Sequence, residues 1–141
     1  MLREYISIKS RFQRSANLYR DCRRDNGLSG YVITPLVQQT LKQIANGLVD
    51  NSPDRAFILT GPYGSGKSSF ALLLCQLLQA RNSEAWKILN DVDALFAKEI
   101  HNLVFNGNET SKGFIVLPIT ARRVSVSSLL SKLANHFPRT C

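Results

Sequence analysis

Acid is scarce in this sequence: ten aspartates and glutamates stand against eighteen lysines and arginines, for a net charge of +8 and an isoelectric point near 9.8. Such an excess admits an anionic partner, and one small anion would not require so much of it. Cysteine is also sparse. Cys22, Cys75 and Cys141 are odd in number and widely spaced, with no C-x-x-C pair and no histidine at ligand spacing. That pattern excludes a disulfide framework and a zinc site and leaves reduced thiols, with Cys75 a small core residue inside an apolar helical run. Long hydrophobic runs are missing too. The longest, residues 70–75 and 114–118, fall far short of the roughly 20 needed to cross a bilayer. The opening Met1-Leu2-Arg3-Glu4-Tyr5 has an early acid and no apolar run long enough for a secretory leader. The expectation is a cytoplasmic protein with no membrane partner. What is present, 44% hydrophobic and 20% charged residues over 141 positions, is the composition of one soluble globular unit.

The basic excess is densest near the start, at Arg3, Lys9, Arg11, Arg14, Arg20, Arg23 and Arg24, relieved only by Glu4, Asp21 and Asp25. Two readings stand side by side. The segment is a solvated or covered face of a larger protein, or it contacts nucleic acid, with Tyr5, Phe12 and Tyr19 interleaved to stack on bases. Residues 1–30 show no sustained period and carry turn pairs at Asn26-Gly27 and Ser29-Gly30, so they are read as a basic arm with a short strand at residues 5–8. Residues 31–141 are read as one further unit after the arm.

Tyr31-Val32-Ile33 is a short β-type run, and Thr34-Pro35 after it is a helix start, with threonine as N-cap and proline at the first helical position. Leu36, Val37, Thr40, Leu41, Ile44, Ala45 and Leu48 recur at three- and four-residue spacing, so this helix buries one face, and it ends at Asn46-Gly47 or over residues 50–53. Residues 56–60 form a continuous apolar run, as expected of a strand covered on both faces. Residues 68–80 are apolar nearly all round and read as a buried helix. Residues 83–105 read as one further helix with a stripe of Trp86, Leu89, Val92, Leu95, Phe96 and Ile100. Residues 114–119 read as a second buried strand, and Ser125 or Ser127 can cap a last helix through Phe137.

Between the first apolar run and the helix after it lies Gly61-Pro62-Tyr63-Gly64-Ser65-Gly66-Lys67-Ser68, which matches G-x-x-x-x-G-K-[ST] without a mismatch. At ordinary residue frequencies such a match arises by accident in roughly 0.5% of chains of this length. The residue types follow from the chemistry of a triphosphate. Its oxygens need many donors at close range, and backbone N–H groups from Gly64 to Ser69 can supply them only where no Cβ blocks the approach. The helix starting near Lys67 adds the positive end of its dipole. Lys67 is expected to reach the β- and γ-phosphates, the Ser68 hydroxyl to ligate Mg²⁺, and Ser69 to reach the α-phosphate. Tyr63 can shield the phosphates or pack on the loop. The expected ligands are therefore ATP and Mg²⁺, with Lys67 the one catalytic candidate. A hydrolase also needs an acid at the end of a hydrophobic strand to hold the Mg²⁺ shell and activate water. The run 114–119 leads instead to Thr120. Asp91 and Asp93 sit in a helical pattern as surface carboxylates, and His101 and His136 are isolated.

Residues 59–72, Leu-Thr-Gly-Pro-Tyr-Gly-Ser-Gly-Lys-Ser-Ser-Phe-Ala-Leu, with Gly30-Tyr31-Val32-Ile33-Thr34-Pro35 about one helix upstream, resemble the opening of an AAA+-type ATPase module. They are similar to the N-terminal part of large bacterial ATP-binding proteins, some of them encoded with phage-defence systems. The resemblance implies an α/β fold, a P-loop NTPase-like parallel sheet flanked by helices, and it places Tyr31, Val32 and Ile33 beside the adenine. It also implies that the Mg²⁺-coordinating acid, the sensor residue and the arginine finger come after the second strand, so the sheet is incomplete and the module truncated or split. The partner would then be the remainder of a larger ATPase. Two other readings stay open: a nucleotide-binding fragment without turnover, and a small-molecule kinase, for which Arg122-Arg123 is the one candidate acceptor or lid pair.

Overall fold

A computed structural model describes residues 18–21, 27–49, 51–105, 113–119 and 125–134. Among the described residues six helices follow in chain order: α1 (Leu18–Asp21), α2 (Pro35–Leu48), α3 (Lys67–Gln79), α4 (Glu84–Val92), α5 (Ala94–Phe105) and α6 (Val126–Ala134). α2 starts where Thr34 and Pro35 place it, with the Thr34 hydroxyl accepting from the Val37 N–H at 3.3 Å. α6 is capped by Ser125, whose hydroxyl accepts from the Ser128 N–H at 3.3 Å. The strand expected at residues 5–8 and the turn at Asn26 lie outside the described residues, as do Arg122, Arg123, His136, Cys22 and Cys141.

One core joins α2, α3, α4 and α5. Leu41, Ile44 and Ala45 of α2 meet Phe70, Leu72, Leu73 and Leu77 of α3, Ala85, Trp86 and Leu89 of α4, and Ala97, Ile100, Val104 and Phe105 of α5. α4 packs on α5 and on α3, and α5 on α2. The N-terminal stretch takes part: Leu28 is fully buried, Leu18 packs against the core, and α1 lies on α3. The Leu28 N–H donates to the Glu84 carboxylate at 3.3 Å, tying that turn to α4. Cys75 packs against the core as a thiol. Among the described residues, no helix is long and apolar enough to cross a membrane.

The expected α/β parallel sheet is not found: among the described residues there is no strand. Residues 54–62 and 113–119 are neither helix nor strand. A ladder needs a second backbone at about 4.8 Å, and each run spends its contacts on the end of a helix instead. The Phe57 ring lies against Gly47 in the last turn of α2. The Phe114 N–H donates to the Leu78 carbonyl of α3 at 2.8 Å. Both runs stay open to solvent, with Ile58 91% and Ile115 68% exposed. An apolar run signals a tendency to be buried and does not name a partner. Residues 31–33 are no strand either. The Tyr31 N–H closes a turn on the Leu28 carbonyl at 2.8 Å, and Ile33 turns into the core.

The single helix expected over residues 83–105 is two, broken at Asp93. Asp93 leaves helical geometry at φ −156° and ψ 100°. Its carboxylate accepts from the Phe96 N–H at 2.9 Å, the N-cap that starts α5. The break lets α4 and α5 fold against each other around Trp86, Leu89, Ile100 and Phe105.

Candidate phosphate-binding loop

α3 is the element that presents the loop. Its buried face, from Phe70 to Leu77, fixes it in the core. Its far end is held from outside, because the Trp86 indole N–H donates to the Leu77 carbonyl at 3.2 Å and the Phe114 N–H to the Leu78 carbonyl. Two of the carbonyls that a helix leaves unpaired at its C-terminus are thereby satisfied. The other end is left open. Gly66 stands at the N-cap with φ 84° and no side-chain cap, so the first N–H groups of α3 face the loop without a partner of their own helix.

The loop itself rises out of the body, and residues 61–66 are all exposed. Its turn is closed by the Ser65 N–H on the Pro62 carbonyl at 3.4 Å. Gly64 and Gly66 are left-handed, at φ 82° and 84°, a conformation that residues with a Cβ rarely adopt. A Cβ built at either would meet no protein atom within 4 Å. The glycines are thus not required by protein packing. They give the backbone its shape and leave clear space above it, which is what a cradle for a bulky anion needs.

Lys67 folds back across this turn. Its ammonium donates to the Gly61 carbonyl at 2.9 Å, the Pro62 carbonyl at 2.6 Å and the Ser65 hydroxyl at 3.3 Å. An ammonium has three N–H donors, and here all three are committed to the loop's own acceptors. A phosphate oxygen that reaches Lys67 exchanges with one of them, so the charge arrives already oriented. Ser68 is exposed on the first turn of α3 and Ser69 half-buried beside it. Tyr63 is 98% exposed, and its ring does not lie against the loop.

The other residues named from the sequence are placed elsewhere. Tyr31 packs against the core and Val32 is 72% exposed, both just ahead of α2. Asp91 is exposed on α4, and the Asp93 carboxylate is engaged as a cap. His101 sits in an aromatic cluster, edge-on to Trp86 at 5.0 Å between ring centroids and 4.7 Å from Phe105. Arg81 lies over the Phe105 ring at 4.5 Å. Burial, and then the charge of Arg81, push His101 below its ordinary value of 6.5. The imidazole therefore belongs to the core's edge.

The sequence of loop, open helix end and buried helix decides the class of the site. Residues 37–106 match the KAP family P-loop domain. The matched KAP segment runs from the first turn of α2 through α5 and holds the loop in its middle. The match supports a P-loop NTPase and suggests that the loop is where a nucleotide binds. No curated protein and no solved structure matches the chain significantly.

Proposed function

We propose that the chain binds ATP through Gly61, Pro62, Tyr63, Gly64, Ser65, Gly66, Lys67, Ser68 and Ser69, as a Walker A loop. The observation that carries the reading is the unobstructed face over Gly64 and Gly66 at the head of α3, inside the matched KAP segment. Backbone N–H groups hold the phosphates, and Lys67 meets the β- and γ-phosphates by giving up part of its hold on the loop. Ser68 fits a hard cation, because its hydroxyl is exposed on the first turn of α3, next to the open N–H groups. Mg²⁺ held there would supply charge neutralisation for the β- and γ-phosphate oxygens. Tyr31 and Val32 are assigned to the adenine side by the AAA+ resemblance, and the same resemblance supports a bacterial, phage-defence setting.

Titration calorimetry with MgATP tests the site. Lys67→Ala is expected to weaken binding at least tenfold, or about 1.4 kcal/mol, while unchanged affinity would remove Lys67 from the phosphate site. Hydrolysis, in this reading, is a property of a larger ATPase to which residues 31–141 contribute the nucleotide-binding part. The basic arm, residues 1–30, holds the core through Leu18 and Leu28 and offers its arginines to nucleic acid. Replacing Arg20, Arg23 and Arg24 by serine is expected to lower both the affinity for single-stranded nucleic acid and its salt dependence. No binding by the unmutated chain at low salt would end that part of the reading.

A further inference from the structure

The loop is held by its two ends, since none of residues 61–66 is buried. The exit is α3, anchored by its core face. The entry is residues 54–60, all exposed, with Ile58 almost wholly so. What keeps this lead-in in place is found at the end of α2. The Ser52 N–H closes a turn on the Val49 carbonyl at 3.1 Å. The Arg55 guanidinium donates to the Ser52 carbonyl at 3.2 Å and to the Val49 carbonyl at 3.5 Å. The chain then passes directly over Gly47. A Cβ there would overlap the Asp54 carbonyl oxygen and come within 2.6 Å of Cζ and 2.8 Å of Cε2 of Phe57. Gly47 itself is buried.

Glycine inside a helix costs about 0.8–1.0 kcal/mol relative to alanine, so its presence in the last turn of α2 calls for a reason. The lead-in provides one. A phenyl ring can swing away from a methyl group, but the Asp54 carbonyl is backbone, and it retreats only if the whole lead-in moves. From Phe57 the chain reaches Gly61 in four exposed residues with no other anchor described between them, so a shift at Asp54 is carried into the loop. Phosphate-binding geometry tolerates misplacement of only about 0.5 Å.

We infer that Gly47 is a positioning residue for the phosphate-binding loop: its bare Cα is the seat on which the lead-in rests and by which α2 fixes the loop against α3. The inference rests on the nucleotide-binding reading above. Gly47→Ala replaces the seat with a methyl group while favouring the helix, so a purely structural role and a positioning role separate. In calorimetry with MgATP, a variant that is merely less stable shows fewer sites with the Kd of the unmutated chain. A variant with a displaced loop shows full occupancy with a Kd raised at least tenfold. The second result is expected, together with faster amide exchange over residues 54–60 and undiminished protection of α2. A Kd equal to that of the unmutated chain overturns the inference. If Gly47→Ala does not fold, the unmutated chain decides. Coupling is reciprocal, so MgATP must slow amide exchange at the end of α2 and over residues 54–57, and no change there overturns the inference as well. Absence of MgATP binding by the unmutated chain overturns the nucleotide-binding reading itself, a failure that calorimetry of that chain alone detects.

Discussion

At the scale of single residues, the loop was legible because its chemistry is written in residue types at fixed spacing. The parts proposed for Gly64, Gly66 and Lys67 rest on backbone shape and one charge, and both can be read without knowledge of the fold. Gly47 was not legible in the same way. In the sequence it follows Asn46 and reads as one of two possible helix ends; it lies one residue before the end of α2 and answers to a segment that returns seven residues later. A glycine inside a periodic apolar pattern is the available signal, and only the return of the chain gives it meaning. His101, isolated in the sequence, proves to share its surroundings with Trp86, Phe105 and Arg81. Because burial and then Arg81 lower its folded value, the unfolded chain takes up the proton first as pH falls. Its effect on stability is absent well above 6.5, grows as pH drops below that value, and levels off once the folded imidazole is protonated too. His101→Phe is therefore expected to lose less thermal stability than the unmutated chain between about pH 7.5 and about pH 5. Equal losses in a melting series across that interval would show that the cluster does not hold the neutral imidazole.

At the scale of elements, helices were read well and extended runs badly, for one physical reason. A helix satisfies its own backbone, so caps and periodicity suffice, as Thr34 and Ser125 show. A strand is defined by a partner that no single segment specifies. Residues 56–60 and 114–119 have strand composition, yet their described contacts run to the ends of α2 and α3. Two helical features were missed, the short α1 inside the basic arm and the break between α4 and α5; the cause of the break is local, because Asp93 competes for the backbone as a cap. Asp93→Ala removes the acceptor for the Phe96 N–H at an exposed site, with an expected cost of about 1 kcal/mol. Denaturant unfolding measures it, and Asp93→Asn, which can also cap, should restore most of the loss. If alanine and asparagine behave alike, the helix break is set by packing of α4 on α5 instead.

At the scale of the whole molecule, the proposed site has more of what binding needs than of what hydrolysis needs. Phosphoryl transfer needs positioning of the phosphates, a group that orients or activates water, and positive charge on the transition state. The described loop offers the first through backbone and Lys67. For the second, Asp91 lies exposed on α4 and the Asp93 carboxylate is occupied with the Phe96 N–H. The apolar run at residues 114–119 is followed by Thr120 and not by an acid. For the third, Lys67 is the charge in the loop, and three loop acceptors already share it. The purified chain is therefore expected to bind MgATP and release phosphate far more slowly than about 1 s⁻¹, the low end for ordinary enzymes. Steady-state phosphate release from monodisperse protein measures this, with Lys67→Ala as the control for contaminating ATPases. Turnover near that rate, abolished in Lys67→Ala and also in Asp91→Asn or Asp93→Asn, would mean that one of these acids reaches the loop. Turnover abolished by Lys67→Ala alone would place the activating group at a residue other than Asp91 and Asp93. Either result would make the chain a complete catalyst and overturn the view that hydrolysis waits on a larger assembly.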